Sequence, residues 1–147
     1  EVEGMVIGGH GDTTMIPLAR LATYKGIPVS ELLSAEELEK VVKATMVGGA
    51  TLTGLLGTSA WYAPGAAGAF VVESIIKNQK KLIPSCVALE GEYGQNDICI
   101  GVPTIIGRNG VEKIVEVELT ADEKALFVAS ADAVRKTNDV LKEINVL

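Results

Sequence analysis

The chain holds one histidine, His10, set in the stretch I-G-G-H-G-D-T-T-M at positions 7 to 15. Imidazole is the side chain whose ordinary pKa, about 6.5, lets it accept or donate a proton near neutrality. The flanking glycines, Gly9 and Gly11, leave one ring edge unobstructed. A carboxylate bonded to one ring nitrogen would fix the tautomer and leave the other nitrogen to act as acid or base on a substrate. Asp12 is the nearest such carboxylate in sequence. It is also, like Thr13 and Thr14, a good helix N-cap, and a carboxylate engaged with backbone N–H groups is not free to orient His10. A solitary histidine can equally be a solvated or structural residue, so it is the placement between glycines at a strand's end that brings catalysis into consideration.

Other chemistry-bearing residues read more plainly. Ser59, in G-T-S-A at 57 to 60, lacks the G-x-S-x-G elbow of a serine nucleophile and reads as a loop or capping residue. Cys86 and Cys99 lie in apolar stretches without C-x-x-C or Cys/His ligand spacing, which predicts two buried, reduced thiols, no metal and a cytoplasmic setting. Trp61, Tyr62 and Tyr93 read as packing residues, and Lys80-Lys81 as a solvated helix end.

These side chains have to be held by elements that the pattern also suggests. Val2 to Gly8 is a short apolar run ending in glycine, a buried strand that delivers His10 to a loop. Asp12, Thr13 or Thr14 as cap and Pro17 in a first turn predict a helix through about Tyr24. Gly26-Ile27-Pro28 breaks it, and Ser34-Ala35-Glu36-Glu37 is a capping box opening a long helix to about Gly57. Its expected buried stripe is Leu38, Val41, Val42, Thr45, Gly49, Leu52 and Leu56, with Gly48 and Gly49 marking a close backbone approach or a kink. A further helix is expected from Pro64 to about Lys80, with a bare face of Gly65 to Ala69 that something packs against. Strand-like runs follow at Pro84 to Glu90, Ile98 to Ile106 and Val111 to Leu119, the last two joined by an Asn109-Gly110 hairpin signal. Thr120-Ala121-Asp122-Glu123 is a second capping box, opening a helix with a stripe of Leu126, Ala129, Ala133, Val134, Thr137, Val140, Leu141 and Ile144. Strands grouped together and not alternating with helices make the fold class α+β.

The 147 residues, 48% hydrophobic and 22% charged, are enough for one domain with a core of ordinary size. A formal charge of -6 argues against nucleic acid or anionic lipid as a partner. Ala44 to Val72 carries no charge, but six glycines, Pro64 and only three leucines make it a poor membrane span, so a soluble, tightly buried segment is expected. The chain opens on Glu1 without a basic leader and reads as a piece of something longer. It carries no G-x-G-x-x-G at a strand-to-helix turn and no P-loop.

Four segments in register carry a resemblance: I-G-G-H-G-D at 7 to 12, G-T-S-A-W-Y-A-P-G-A-A at 57 to 67, V-A-L-E-G-E-Y-G at 87 to 94 and G-V-P-T-I-I-G-R-N-G-V-E at 101 to 112. They resemble the C-terminal catalytic domain of bacterial NAD-dependent malate dehydrogenases of the lactate-dehydrogenase-like type, over essentially the whole chain. The resemblance implies long helices packed on antiparallel strands. It also implies that residues 1–147 are the substrate-binding and catalytic domain of a longer enzyme whose dinucleotide-binding half is absent. The implied activity is interconversion of (S)-malate and oxaloacetate, with NAD bound mainly by the missing half. His10 matches the family histidine that donates the proton as hydride reduces the ketone and takes it back in oxidation. Ser59, Ala60 and Pro64 match a segment beside substrate and nicotinamide. The family's histidine-orienting aspartate, carboxylate-clamping arginine and specificity loop all fall before Glu1, so the isolated chain is expected to be inactive. A cytoplasmic homodimer or homotetramer is implied, with the uncharged stretch buried against the dinucleotide half and other subunits. The alternatives are a lactate dehydrogenase domain, for which T-S-W-A-I-G is expected where this chain has S-A-W-Y-A-P-G, and a non-catalytic assembly module in which His10 is a loop residue.

Overall fold

The computed structural model describes residues 2–143. Its strands are β1 (Val2–Glu3), β2 (Val6–Gly8), β3 (Met15–Pro17), β4 (Thr23–Tyr24), β5 (Ile27–Pro28), β6 (Lys81–Glu90), β7 (Asn96–Gly107) and β8 (Gly110–Ile114). Its helices are α1 (Ala35–Leu56), α2 (Tyr62–Ile76) and α3 (Ala121–Glu143). The antiparallel pair β6–β7 forms the spine, running from Lys81 opposite Ile106 to Glu90 opposite Asn96, with a bulge at Leu89/Glu90. β2 and β8 share the other edge of β7, and β3 closes the sheet beyond β2. A small second sheet has the order β1-β4-β5.

The period of two decides which face of β7 is inside. Ile98, Ile100, Val102, Thr104 and Ile106 are all buried. Leu89 and Ile83 lie opposite Ile98 and Thr104 on β6. The Thr104 hydroxyl, buried among them, donates to the Ile83 carbonyl at 2.8 Å. α3 covers this face with Phe127 and Ala131, joined by Ile7, Ile16, Leu18 and Leu119 in one core. The expected capping box opens α3, with Glu123 N–H donating to Thr120 Oγ1 at 3.2 Å and Thr120 N–H to the Glu123 carboxylate at 2.9 Å. Arg20 grips the same carboxylate through Nε at 2.9 Å and donates to the Glu118 carbonyl, tying the early loops to the start of α3.

The helix expected from a cap at Asp12, Thr13 or Thr14 to about Tyr24 does not form. The chain turns back at residues 9–14 into β3, passes a 3-10 turn at Ala19–Leu21 and enters β4. Local capping signals lose here to burial, because Ile16 opposite Ile7, with Leu18 beyond, completes the core. Pro17 is tolerated since β3 lies at the end of the sheet, where a missing N–H breaks no further ladder.

α1 begins as expected, with Ser34 accepting from Glu37 N–H and Glu37 reaching back to Ser34 N–H, and it ends at a left-handed Gly57. The expected buried stripe is not found, for none of its residues is buried, and only Leu38, Val42 and Met46 are partly covered. Gly48 and Gly49 neither interrupt the helix nor meet another backbone, since a Cβ on either would touch nothing within 4 Å. α2 starts two residues before Pro64 and buries only Ser74. Gly65 and Gly68 likewise face open space. The uncharged stretch is therefore laid open in this chain and not enclosed by it. Among the described residues no helix is long and apolar enough to cross a membrane.

The buried stripe of α3 is turned relative to expectation. Phe127, Ser130 and Ala131 are buried and Val134 partly so, whereas Leu126 and Ala129 are exposed. In this rotation Phe127 enters the core and meets the Tyr93 ring, with centroids 5.1 Å apart. Ile144 lies outside the described residues. The β7–β8 hairpin forms as expected around Arg108 and Asn109, with Gly110 alone at positive φ, +84°. β8 ends at Ile114, earlier than Leu119, because Tyr93 Oη takes over the backbone: it donates to the Val115 carbonyl at 3.0 Å and accepts from Val117 N–H at 2.9 Å. Cys86 and Cys99 are free thiols but exposed, which corrects the expected burial. They sit on the face of β6 and β7 away from the core, at an end left open, whereas Pro103 on the same face is buried.

Candidate functional site

β2 and β3 form a hairpin whose loop, residues 9–14, carries His10 at the surface. The loop is compact. Thr14 N–H and Met15 N–H both donate to the Gly11 carbonyl, at 2.9 and 3.0 Å. The Thr14 hydroxyl accepts from Gly11 N–H at 2.9 Å and donates to the Gly11 carbonyl at 3.1 Å. From the core side, Ser130 of α3 accepts from Gly9 N–H at 2.8 Å and donates to the Thr14 carbonyl at 2.7 Å.

Beside the flanking Gly9 and Gly11, the structure requires glycine at two further positions. Gly8 has φ +93°, and a Cβ there would lie 2.5 Å from the Thr14 carbonyl oxygen and 2.9 Å from Ser130 Oγ. Opposite it stands Gly101, whose Cβ would lie 2.7 Å from the Gly8 carbonyl oxygen. These positions let three backbone segments meet under His10.

His10 borders a cleft of about 480 Å³, walled by residues of β2 and β7 and by Met15, Pro84, Ser85, Cys86, Cys99 and Val134. Its ring is exposed and takes no hydrogen bond or ion pair among the described residues. Asp12 is exposed beside it and neither bonds the ring nor caps a helix, since no helix starts there. Desolvation pushes the Cys86 thiol up from its ordinary value, and neighbouring Cys99 adds to the rise, so Cys86 remains a protonated thiol at neutral pH. The lining contains no Lys or Arg.

Ser59 and Ala60 lie between α1 and α2, and Pro64 in the first turn of α2; none of the three lines the His10 cleft. Sequence reading passed over Ser130 and Gly101. The first gave no local signal, because the stripe expected for α3 ran through Leu126 and Ala129 and left Ser130 outside it. The second is visible only once β2 lies against β7.

The described residues offer no cradle for the pyrophosphate of a dinucleotide. Among the described residues no strand leads through a glycine turn into a helix: α1 follows a 3-10 turn, α2 follows α1, and α3 follows the exit from β8. α1 and α3 also open with paired carboxylates, Glu36 and Glu37, Asp122 and Glu123, which repel a pyrophosphate.

An α+β domain that presents one imidazole over a cleft, without a nucleotide cradle, is the class defined so far. Residues 1–144 match the family model of the lactate/malate dehydrogenase alpha/beta C-terminal domain, and the chain belongs to that family. Among curated relatives, the malate dehydrogenase of Parabacteroides distasonis is 78% identical over the whole chain, which covers 47% of that protein. The solved malate dehydrogenase of Salinibacter ruber superposes with TM-score 0.94 at 45% identity, over 99% of this chain and 47% of that one. The lactate dehydrogenase of Eimeria maxima, solved with NADH and oxamate, superposes with TM-score 0.92 at 38% identity, over 99% of this chain and 47% of that one. The chain thus spans about half the length of the relatives it matches.

Proposed function

We propose that the full-length protein interconverts malate and oxaloacetate with NAD, and that His10 is its proton donor and acceptor. The observation that carries the reading is His10 itself, an exposed imidazole over a largely apolar cleft, on a loop fastened to the core. Reduction of a ketone builds negative charge on its oxygen, and a protonated His10 neutralises it; in the reverse direction the neutral ring removes the hydroxyl proton. The likeness to malate dehydrogenases, 78% identical in the relative named above, supports malate over lactate.

A dicarboxylate needs cationic partners, and the cleft supplies none. Substrate-binding arginines are therefore expected from the rest of the protein, which also binds most of the NAD, and the chain made alone is inactive. Ser59, Ala60 and Pro64 belong to the pocket only when the rest of the protein is in place. The apolar side chains left open on α1 and α2, Leu55, Leu56, Tyr62 and Ile76 among them, are contact surface for the dinucleotide-binding half and for further copies in a homodimer or homotetramer. Exposed free thiols suit the reducing cytoplasm.

The test is NADH oxidation by the full-length protein with oxaloacetate and pyruvate in parallel, and His10→Asn as the control. Turnover on oxaloacetate that falls a hundredfold or so in the variant supports the reading. Turnover on pyruvate instead makes the protein a lactate dehydrogenase, and activity untouched in His10→Asn removes His10 from the chemistry.

A further inference from the structure

We propose that Ser130 and Thr14 are positioning residues for the proton-transfer step, two hydroxyls that hold the His10 loop in one conformation. The inference rests on the reading of His10 given above. Ser130 is 3% exposed and lies on α3 between the core residues Phe127 and Ala131 and Val134 at the cleft. Its hydroxyl uses both its capacities on the loop, accepting from Gly9 N–H at one end and donating to the Thr14 carbonyl at the other. One buried oxygen thereby closes the six residues 9–14 across more than 110 positions of sequence, with separations of 121 and 116. Thr14 finishes the closure by holding both the N–H and the carbonyl of Gly11. The backbone is therefore bonded on each side of His10, at Gly9 and at Gly11, while the ring itself stays free to meet a substrate. Side chains that would obstruct this are absent: a Cβ on Gly9 would lie 2.7 Å from Thr14 Oγ1, and one on Gly8 would collide with the same Ser130–Thr14 bond.

A hydroxyl that only satisfied buried backbone would affect stability alone, and Ser74 provides the comparison. It is a second buried helix serine, donating to the Ile106 carbonyl at 2.6 Å, and it does not line the His10 cleft. The experiment measures kcat and KM for oxaloacetate, and melting temperature, on the full-length protein carrying Ser130→Ala, Thr14→Val or Ser74→Ala, with His10→Asn as reference. Ser130→Ala and Thr14→Val are expected to lower kcat roughly tenfold or more with KM little changed, the mark of a misplaced catalytic group. Ser74→Ala is expected to lower the melting temperature and leave kcat as it was. Wild-type kcat in both Ser130→Ala and Thr14→Val, with His10→Asn inactive, overturns this inference and leaves the role of His10 standing. Full activity in His10→Asn overturns both. Should Ser130→Ala fail to fold, Thr14→Val decides the matter, since Thr14 is only partly buried and valine keeps its shape.

Discussion

Gly101→Ala tests whether the close meeting of β2 and β7 supports His10. Gly101 is paired with Gly8, two residues before the histidine. An added Cβ would stand 2.7 Å from the Gly8 carbonyl oxygen, where ordinary contact begins at 3.4 Å, so the two backbones must part by about 0.7 Å. No side-chain rotation relieves the clash, because the atom struck is backbone. Overpacking of this kind costs about 1–3 kcal/mol. A shift approaching 1 Å at a catalytic group costs up to roughly a hundredfold in rate, so about tenfold in kcat is expected here. Gly107→Ala, in the same strand, is the contrasting case. The three atoms nearest its Cβ would all belong to the Glu112 carboxylate, which can swing away from its 3.4 Å pairing with Lys80 at a cost of about 0–1 kcal/mol. Thermal unfolding and oxaloacetate turnover of the two variants in the full-length protein check the reasoning. Equal melting temperatures and equal kcat for Gly101→Ala and Gly107→Ala would refute it.

Tyr93→Phe removes the hydroxyl that holds Val115 and Val117 and leaves a carbonyl and an N–H without partners; a loss of about 1–3 kcal/mol is expected in urea titration, with ring packing on Phe127 retained. Burial opposes ionisation of Glu123, but hydrogen bonds from Arg20 and Thr120 outweigh it and hold the carboxyl below the usual range. Its contribution to stability is thus complete above the unfolded value of about 4.3 and is lost as pH falls through the lower folded value. Glu123→Gln should flatten that acid limb of the urea midpoint against pH while lowering the neutral plateau; an unchanged acid limb would show that other carboxylates set it.

The hairpin β7–β8 and the starts of α1 and α3 were legible because each is written in a few adjacent residues: Arg108-Asn109-Gly110, Ser34 to Glu37, Thr120 to Glu123. The site was legible only at His10. Asp12, Thr13 and Thr14 offer caps to a helix that never forms, since burying Ile16 and Leu18 in the core outweighs a capping bond worth about 1 kcal/mol. Ser130 could not be placed from α3 alone, because an error of one position in the stripe, Leu126 for Phe127, turns it away from the core.

By itself, then, the sequence determined the α+β class, the local punctuation of turns and caps, and one imidazole set among glycines. Those features depend on contacts within a few residues. Only the tertiary structure decided that Gly8 faces Gly101, that Ser130 reaches back across the chain to Gly9 and Thr14, and that α1, α2 and the two thiols stay open to solvent. Each of these depends on which surfaces meet after burial has chosen among alternatives of similar local energy, and that choice is made by the core as a whole.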